Sequence, residues 1–143
     1  MSAKNYDPTQ YTIVVAGIPI NKGYADGEVI KVERESDAYT DVCGTDGSVT
    51  RVAVKDNRAT ATLSLMQTAD ANALLSALFL LDQNAPNGAG IGPFLLKDRQ
   101  GTTVLAGDAS WIAKPPDASV DKTATPRQWK IRIANLKEFH GGN

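Results

Sequence analysis

Apolar and polar side chains alternate along much of the chain, and this pattern predicts short β-strands. In residues 59–66 one face is apolar and the other carries hydroxyls: Ala61, Leu63 and Leu65 against Thr60, Thr62 and Ser64. In residues 127–134 the faces are equally distinct: Trp129, Ile131 and Ile133 against Gln128, Lys130 and Arg132. The remaining predicted strands are residues 12–16, 28–34, 49–55, 94–97, 102–105 and 109–114.

One segment has the period of an amphipathic helix instead. Its apolar residues recur at i, i+3, i+4, i+7 and i+8: Ala71, Leu74, Leu75, Leu78 and Phe79. The spacing predicts a helix over about residues 70–83, with Thr68 or Asp70 as its N-cap. A second apolar line, Ala73, Ala77 and Leu80, lies beside the first. Either the helix is deeply buried in its own domain, or its second line covers another subunit.

Adjacent strands without interleaved helices predict a mainly β fold, an antiparallel β-sandwich or barrel with one flanking helix. The length of 143 residues fits a single domain, residues 1–143. Residues 1–10 are polar and predict an N-terminal arm. Residues 35–48 are predicted to form a loop between strands, polar but containing Tyr39 and Val42. It exceeds the usual connection of about 4–6 residues, which favours a functional role.

Composition excludes several classes of protein. Hydrophobic residues make up 42% of the chain and charged residues 22%, with a net charge of −1. That balance argues against a basic surface that grips nucleic acid. The single cysteine, Cys43, excludes an internal disulfide and a zinc site built from thiolates. Without a signal-like apolar start or a run of about 18–20 apolar residues, we expect synthesis in the cytoplasm and no membrane span.

Residues suited to catalysis are few and poorly placed. His140 lies in a tail that is predicted to fray, where packing cannot hold an imidazole for catalysis or metal binding. Cys43 has no basic neighbour in sequence to activate its thiol. Gly88, Gly90 and Gly92 follow a helix, whereas a dinucleotide loop precedes one, so they predict a helix end and a bend. We therefore expect no enzyme, no cofactor and no metal.

Several segments together resemble a family of small bacteriophage tail tube proteins from long, mostly contractile tails. They are residues 61–68, the leucine-rich helix, and residues 92–98, 109–117 and 128–131. The likeness covers nearly the whole chain and is weakest in residues 1–10 and the last few. It implies a β-sandwich or barrel-like protomer with one helix, related to the tubes of type VI secretion systems and pyocins. Six protomers would form a ring, and stacked rings a hollow tube.

The resemblance also implies roles for particular surfaces. Four strands per protomer would line a lumen occupied by DNA and, before it, the tape measure protein, neither specifically bound. The expected lumen residues are Lys31, Glu33, Arg51, Thr60, Thr62 and Ser64; an ordinary solvated sheet face is the alternative. The second line of the helix, Ala73, Ala77 and Leu80, would contact a neighbour within the ring. The loop would reach the next ring through Asp37, Tyr39, Asp41, Val42 and Asp46.

The resemblance further implies self-assembly in the host cytoplasm into the virion tail, with sheath, baseplate and terminator proteins as further partners. Two other functions compete with this interpretation. A monomeric β-sandwich binding module, for instance for glycans, would show exposed aromatic side chains in its loops. Trp111 and Trp129 instead lie in predicted strands beside apolar residues, which predicts core positions. A small β-barrel hydrolase lacks a credible base or nucleophile.

Overall fold

A computed structural model describes residues 3–85 and 87–142 of the protein. Residues 1–2 of the predicted arm, residue 86 after the helix and residue 143 of the tail lie outside the described residues. A short 3-10 helix, Pro8–Gln10, precedes the strands. The strands are β1 Tyr11–Val15, β2 Ile18–Ile20, β3 Ile30–Arg34, β4 Tyr39–Cys43, β5 Val49–Ala53, β6 Ala59–Leu65, β7 Gly92–Asp98, β8 Val104–Lys114, β9 Arg127–Ile133 and β10 Leu136–Phe139, and the helix is α1 Ala71–Asn84.

Eight strands form one antiparallel sheet in the order β2-β1-β7-β8-β9-β6-β3, with β10 paired to β8 beside this path. β4 and β5 form a separate two-stranded sheet. The prediction of a mainly β, antiparallel fold with one helix is confirmed, and the sheet is sandwich-like rather than closed into a barrel. In the described ranges, 3–85 and 87–142, no helix is long and apolar enough to cross a membrane.

The core is built from the apolar faces of β6 and β9, as their alternation predicts. Ala61 of β6 lies opposite Ile131 of β9, and Leu63 lies opposite Trp129. All four are buried, Trp129 being 2% exposed. Residues from β1, β7, β8 and α1 complete this cluster, among them Ile13, Val15, Phe94, Leu105 and Leu75. Removing these apolar surfaces from water is the main force that holds the layers together.

A single strand, β8, replaces the two strands predicted at residues 102–105 and 109–114. Its first half pairs with β7 and β10, and its second half pairs with β9. Gly107 and Asp108 interrupt the apolar pattern in the middle of β8, and the pattern therefore predicts two separate strands. A Cβ on Gly107 would collide with the side chain of Ile133, so the glycine is there for close approach between the strands.

Most of β10 lies in the predicted tail, residues 137–143, so the prediction that the tail frays is wrong for residues 137–139. Leu136 is only 2% exposed, and its N–H donates a 2.9 Å hydrogen bond to the carbonyl of Asn57. Burial of the Leu136 side chain and pairing with β8 hold β10 in place, although the polar composition of the tail predicts a disordered end. β2 was likewise missed, because the turn at Ala16 and Gly17, with φ of 49° and 88°, reverses the chain within two residues.

The helix packs on the core through fewer residues than its sequence predicts. Leu75 is fully buried, and Ala71, Leu78 and Phe79 pack against the core. The expectation that Leu74 belongs to this face is wrong, since 56% of it is exposed. Asp70 is the N-cap, but its side chain makes no capping hydrogen bond.

The prediction that residues 35–48 form a loop is wrong. The segment contains β4, which pairs with β5 in a hairpin. Its turn is closed by hydrogen bonds from the Gly44 N–H to the Ser48 carbonyl, 2.7 Å, and from the Gly47 N–H to the Gly44 carbonyl, 3.0 Å. Gly47 has φ of +88°, which a residue with a Cβ rarely adopts. The polar side chains of this segment concealed β4, whereas its partner β5 falls within the strand predicted at residues 49–55.

Candidate assembly surfaces

Four strands form a layer with open edges on both sides: β3, β6, β9 and the last part of β8, residues 111–114. Within the described residues, β3 pairs with β6 alone. Residues 111–114 pair with β9, whereas the pairing of β7 along β8 ends at Ser110. An open strand edge presents backbone N–H and C=O groups that can bond to another chain. At the far side of the sheet, β2 is a three-residue edge strand containing Pro19, features that discourage such pairing.

The outward face of this four-stranded layer is polar. Lys31 lies opposite Thr62 and Glu33 opposite Thr60. The same threonines lie opposite Lys130 and Arg132 on the other side. The face therefore comprises Lys31, Glu33, Thr60, Thr62, Gln128, Lys130 and Arg132, and on β8 Trp111 and Lys114, the register partners of Arg132 and Lys130. Four of the six residues predicted to line a lumen lie together here: Lys31, Glu33, Thr60 and Thr62.

Opposite charges on this face lie side by side. The Lys31 ammonium is 2.6 Å from a Glu33 carboxylate oxygen, and an Arg132 guanidinium nitrogen is 2.8 Å from a Glu35 carboxylate oxygen. The Thr60 hydroxyl also donates to Glu35. This hydrogen bond, followed by the charge of Arg132, lowers the pKa of Glu35. The hydrogen bond to Glu33 and its charge raise the pKa of Lys31. These exposed pairs add little stability but largely cancel one another's field.

The two other predicted lumen residues lie elsewhere. Ser64 is 4% exposed, because the segment before β3 covers it: its N–H donates to the Val29 carbonyl at 2.8 Å. Arg51 lies on β5 in the hairpin, with its guanidinium 4.1 Å from the ring centre of Tyr39. Sequence alternation detects neither effect, since both depend on contacts between distant segments.

The tryptophans differ in their environments. Trp129 is buried in the core as predicted. The prediction of a core position for Trp111 is wrong, because this residue is half-buried opposite Arg132, on the outward face of the layer. Both sit in strands, so alternation with apolar neighbours did not distinguish the inward tryptophan from the outward one.

The outer face of α1 carries an uncovered apolar stripe. Ala73, Ala77 and Leu80 are all exposed, and Leu74 and Leu81 widen the stripe, with exposures of 54% to 56% for the three leucines. Helical periodicity places these five residues side by side. Deep burial of the helix within its own protomer, one of the two interpretations left open by the sequence, is therefore wrong.

The hairpin of β4 and β5 stands apart from the core. All ten residues of its strands are exposed. It brings four of the predicted inter-ring residues together, with Tyr39, Asp41 and Val42 on β4 and Asp46 in the turn, while Asp37 precedes β4. Asp46 accepts a 3.0 Å hydrogen bond from the Ser48 N–H, which lowers the pKa of Asp46 and stabilises the turn.

Polar side chains fix the base of the hairpin to the body. Asp56 accepts hydrogen bonds from the Arg58 side chain at 2.9 and 3.0 Å, and these hold the pKa of Asp56 well below its usual range. Arg34, at the end of β3, donates at 2.8 Å to the Asn57 side chain and lies 3.4 Å from the Glu138 carboxylate of β10. The direction in which the hairpin leaves the body is thus held by several charged contacts.

An apolar groove of about 470 Å³ lies at the other end of β3. Its lining comes from the N-terminal segment, β1, the start of β3, β7, β8 and the tail: Tyr6, Pro8, Tyr11, Ile13, Gly27, Glu28, Val29, Ile30, Leu96, Thr103, Leu105 and His140. The rings of Tyr6 and Tyr11 meet edge to face, with centres 6.3 Å apart. The predicted arm thus contributes to the wall of this groove.

The residues considered for catalysis are either exposed or support the backbone. His140 lies 3.0 Å from the Glu138 carboxylate and is exposed. Cys43 is an exposed thiol near the turn of the hairpin. The Gly90 N–H donates to Asp82 at 3.1 Å, and a Cβ on Gly90 would collide with that side chain, so this glycine serves the backbone after α1. In the part of the chain that the structure describes, no three His, Cys, Asp or Glu residues are placed to hold a metal ion.

Comparison with known proteins decides between a binding module and a tail component. Residues 1–141 match the family described as bacteriophage PhiTE tail tube protein. The chain belongs to this tail tube family. It is also 34% identical over 143 residues to structural protein ORF10 of Pseudomonas phage KPP10, covering 96% of this chain and 83% of that protein. The protein is therefore a structural component of the virion tail and not an enzyme.

A solved structure shows that the fold also occurs in another protein. The protein is similar to the tube terminating cap of the anti-feeding prophage, with a TM-score of 0.59 over 97% of this chain and 93% of the cap. Only 5% of the aligned residues are identical, so this likeness concerns the fold alone. The tail tube resemblance drawn from residues 61–68 and the segments after it is confirmed by the family match.

The sequence analysis missed two positioning contacts, of which one had a signal in the sequence. Asn72, in the first turn of α1, is 6% exposed and binds the Trp129 indole. Arg34 joins β3 to β10 across 104 residues of chain. An asparagine inside an apolar helical stretch, at a position that faces the core, is a usable signal of a buried polar contact. No comparable signal marks Arg34, because a charged residue at the end of a strand is what an ordinary solvent-exposed position would also show.

Proposed function

We propose that six copies of the protein close into a ring, that rings stack into the hollow tube of a long contractile tail, and that DNA passes through the lumen after the tape measure protein. Family membership supports a tube. The observation that carries the ring is the four-stranded layer with an open edge on each side and a polar outward face.

Ring closure follows from joining the two open edges. β3 of one copy would pair with residues 111–114 of the next, so each copy adds four strands to one continuous barrel. About 24 strands spaced about 4.8 Å apart give a circumference near 115 Å and a backbone diameter of about 37 Å. Side chains narrow this width from each side, and the remaining opening admits a DNA duplex. Closure also removes the exposed edges, which otherwise favour aggregation.

The polar outward face would then line the lumen. Its ion pairs, Lys31 with Glu33 and Arg132 with Glu35, neutralise four of its charges and leave Lys114 and Lys130 as the cations outside these two pairs. Tight DNA binding requires many unpaired cations that displace the counterions of the duplex. A face with two ion pairs, threonine hydroxyls and only two further lysines per copy has few cations for the phosphates, which suits passage without retention.

The two uncovered apolar surfaces would make the other contacts between copies. The helix stripe, with Ala73, Ala77 and Leu80 at its centre, covers a neighbour within the ring. The hairpin, with Tyr39, Asp41 and Val42, and with Asp37 and Asp46 near its ends, reaches the next ring. The remaining surfaces face the sheath, the baseplate and the terminator.

Negative-stain electron microscopy of concentrated protein, together with its mass in solution, tests the proposal. Hollow rings or tubes with a lumen wide enough for a duplex are expected. The rival function is a monomeric β-sandwich module, for which the exposed aromatic side chains include Tyr6, Tyr39 and Phe139. A strict monomer that binds a glycan would overturn the tube proposal.

A substitution at the open edge of β8 tests ring closure separately. Ala113 is exposed and has no register partner on β9, since the pairing shifts between Ile112 and Lys114. Proline is tolerated at such irregular edge positions but cannot donate a hydrogen bond to a further strand. Ala113→Pro should keep the fold and lose rings, whereas the control Ala113→Val should keep both. Normal rings from Ala113→Pro would exclude this edge from the contact.

A further inference from the structure

The two faces of the hairpin differ in chemistry. One face carries the charges of Asp41 and Arg51, which lie opposite each other, beside the exposed side chains of Tyr39 and Val49. The opposite face consists only of β-branched, uncharged residues: Thr40, Val42, Thr50 and Val52. We call these four residues the bare face. Val42 is 60% exposed and Val52 44%, so this apolar surface has no cover within the protomer.

An isolated two-stranded hairpin is only marginally stable in water. The exposed ten residues of β4 and β5 gain little from the body beyond the fixed base. A partner surface that covers the bare face would stabilise the hairpin at the same time as it forms a contact. Covering the charged face instead would require desolvating Asp41 and Arg51, which is costly.

The apolar groove and the hairpin lie at opposite ends of β3. The hairpin begins after Arg34, the last residue of the strand, whereas the groove is lined by Ile30, the first residue, and by Val29 before it. Five residues separate the two features by roughly 14 Å of strand. The segment containing β10 also connects the two features. It begins at Leu136, which bonds to Asn57 at the hairpin base, and ends at His140, which lines the groove.

We propose that the bare face of the hairpin docks in the groove of a second copy of this chain, in the next ring. The inference rests on the proposed function and adds to it the face used and the site that receives it. Of the proposed inter-ring residues on β4, it keeps Val42 in the contact and places Tyr39 and Asp41 on the face turned away from the groove. A protruding hairpin at one end and a groove that receives it at the other produce a head-to-tail contact, which repeats as an open stack when the rotation between successive copies does not close a ring. That is the symmetry required along the axis of a tube.

The chemistry of the groove fits this occupant. Its floor is apolar, formed by Ile13, Leu96 and Leu105, and its wall includes Tyr6 and Tyr11. The groove volume of about 470 Å³ accommodates a few side chains of valine or threonine size. Glu28 and His140 lie at its lining, where the hydroxyls of Thr40 and Thr50 can meet polar groups.

Disulfide formation between two different chains tests the contact. Cys43→Ser removes the native thiol, and Val42→Cys is then introduced in one chain and Glu28→Cys in another that carries a size tag. Mixing these singly reactive chains under assembly conditions should give a tagged heterodimer on oxidation. Matched controls replace Val42→Cys by Asp41→Cys, the adjacent residue on the charged face, or Glu28→Cys by Lys137→Cys on β10. Since a disulfide needs Cα atoms within about 7 Å, we expect the proposed pair to exceed both controls about tenfold.

The result separates the inference from the proposed function. Tubes in the micrographs with equal yields from Val42→Cys and Asp41→Cys, or with preferential linkage to Lys137→Cys, would overturn the docking site and leave the tube intact. Absence of both tubes and cross-links would overturn both. Tubes with preferential linkage of Val42→Cys to Glu28→Cys support the docking site.

Discussion

The indole N–H of Trp129 donates a 3.0 Å hydrogen bond to the side-chain oxygen of Asn72 in the core. The amide nitrogen of the same asparagine donates at 2.9 Å to the Met66 carbonyl, beyond the end of β6. One side chain therefore joins the start of α1 to β9 and to the segment that leads out of β6. The position of the helix stripe depends on this contact.

Replacing Asn72 with leucine should destabilise the protein by about 1–3 kcal/mol, because the buried indole N–H and the Met66 carbonyl lose their partner. Urea unfolding followed by tryptophan fluorescence measures the change. Asn84→Leu, at the exposed last residue of the same helix, is the matched control and should change the free energy of unfolding by less than about 0.5 kcal/mol. Equal effects at the two positions would contradict the role assigned to Asn72.

Leu80→Asp should prevent assembly more than it affects folding, since Leu80 is 56% exposed in the protomer and would be buried only against a neighbour. The free energy of unfolding and the yield of rings in micrographs are measured together. Gln83→Asp adds the same charge near the same end of α1 but outside the stripe, and should leave rings intact. Parallel loss of stability and assembly in Leu80→Asp would count against the stripe as an interface.

Excision of the hairpin should separate stacking from folding. Residues 40–52 are replaced by a short Gly-Ser linker, which removes exposed strand residues but keeps the anchored base. We expect a free energy of unfolding close to that of the full chain and rings or monomers that fail to stack. Sedimentation and micrographs provide the measurement. Tubes of normal length from the excised chain would show that stacking uses another surface.

Asp56 should make the protein sensitive to acid. Its carboxylate has a pKa below the ordinary value of 3.8 because Arg58 and Ser36 bond to it in the folded protein. A lowered folded-state pKa stabilises the protein above the unfolded-state pKa, and this stabilisation is lost as the pH falls through the folded-state value. Asp56→Asn should therefore weaken the loss of stability below about pH 4. Asp37→Asn, which changes an exposed carboxylate between β3 and β4, is the control, and an identical pH profile for both variants would contradict the assignment.

The strands that alternate strictly were predictable from the sequence. β6 and β9 were placed within a residue of their observed bounds, because Leu63 and Ile131 lie on faces with no exception to the pattern. The predicted helix also ends close to Asn84. The sequence analysis divided β8 into two strands because Gly107 interrupts its apolar pattern. The glycine is required by a close contact with Ile133, and such contacts between distant chain segments cannot be seen in the local sequence.

The candidate surfaces were only partly predictable, for a related reason. Periodicity shows which residues share a face, as it did for Lys31 and Glu33 and for Ala73 and Ala77. It does not show which face is covered. Leu74 was assigned inward and lies outward, whereas Ser64 was assigned outward and is covered by the segment at residues 25–29. The intra-ring, inter-ring and lumen roles of these residues remain predictions for the experiments above.

The placement of the hairpin and the groove at opposite ends of β3 gives any axial stack of copies a polarity. One end of such a stack exposes free hairpins, and the other exposes unfilled grooves. A protein that begins the stack and a protein that stops it must therefore recognise different chemistry. One has to offer an apolar cleft, and the other a β-branched, uncharged knob, so neither can substitute for the other at the wrong end.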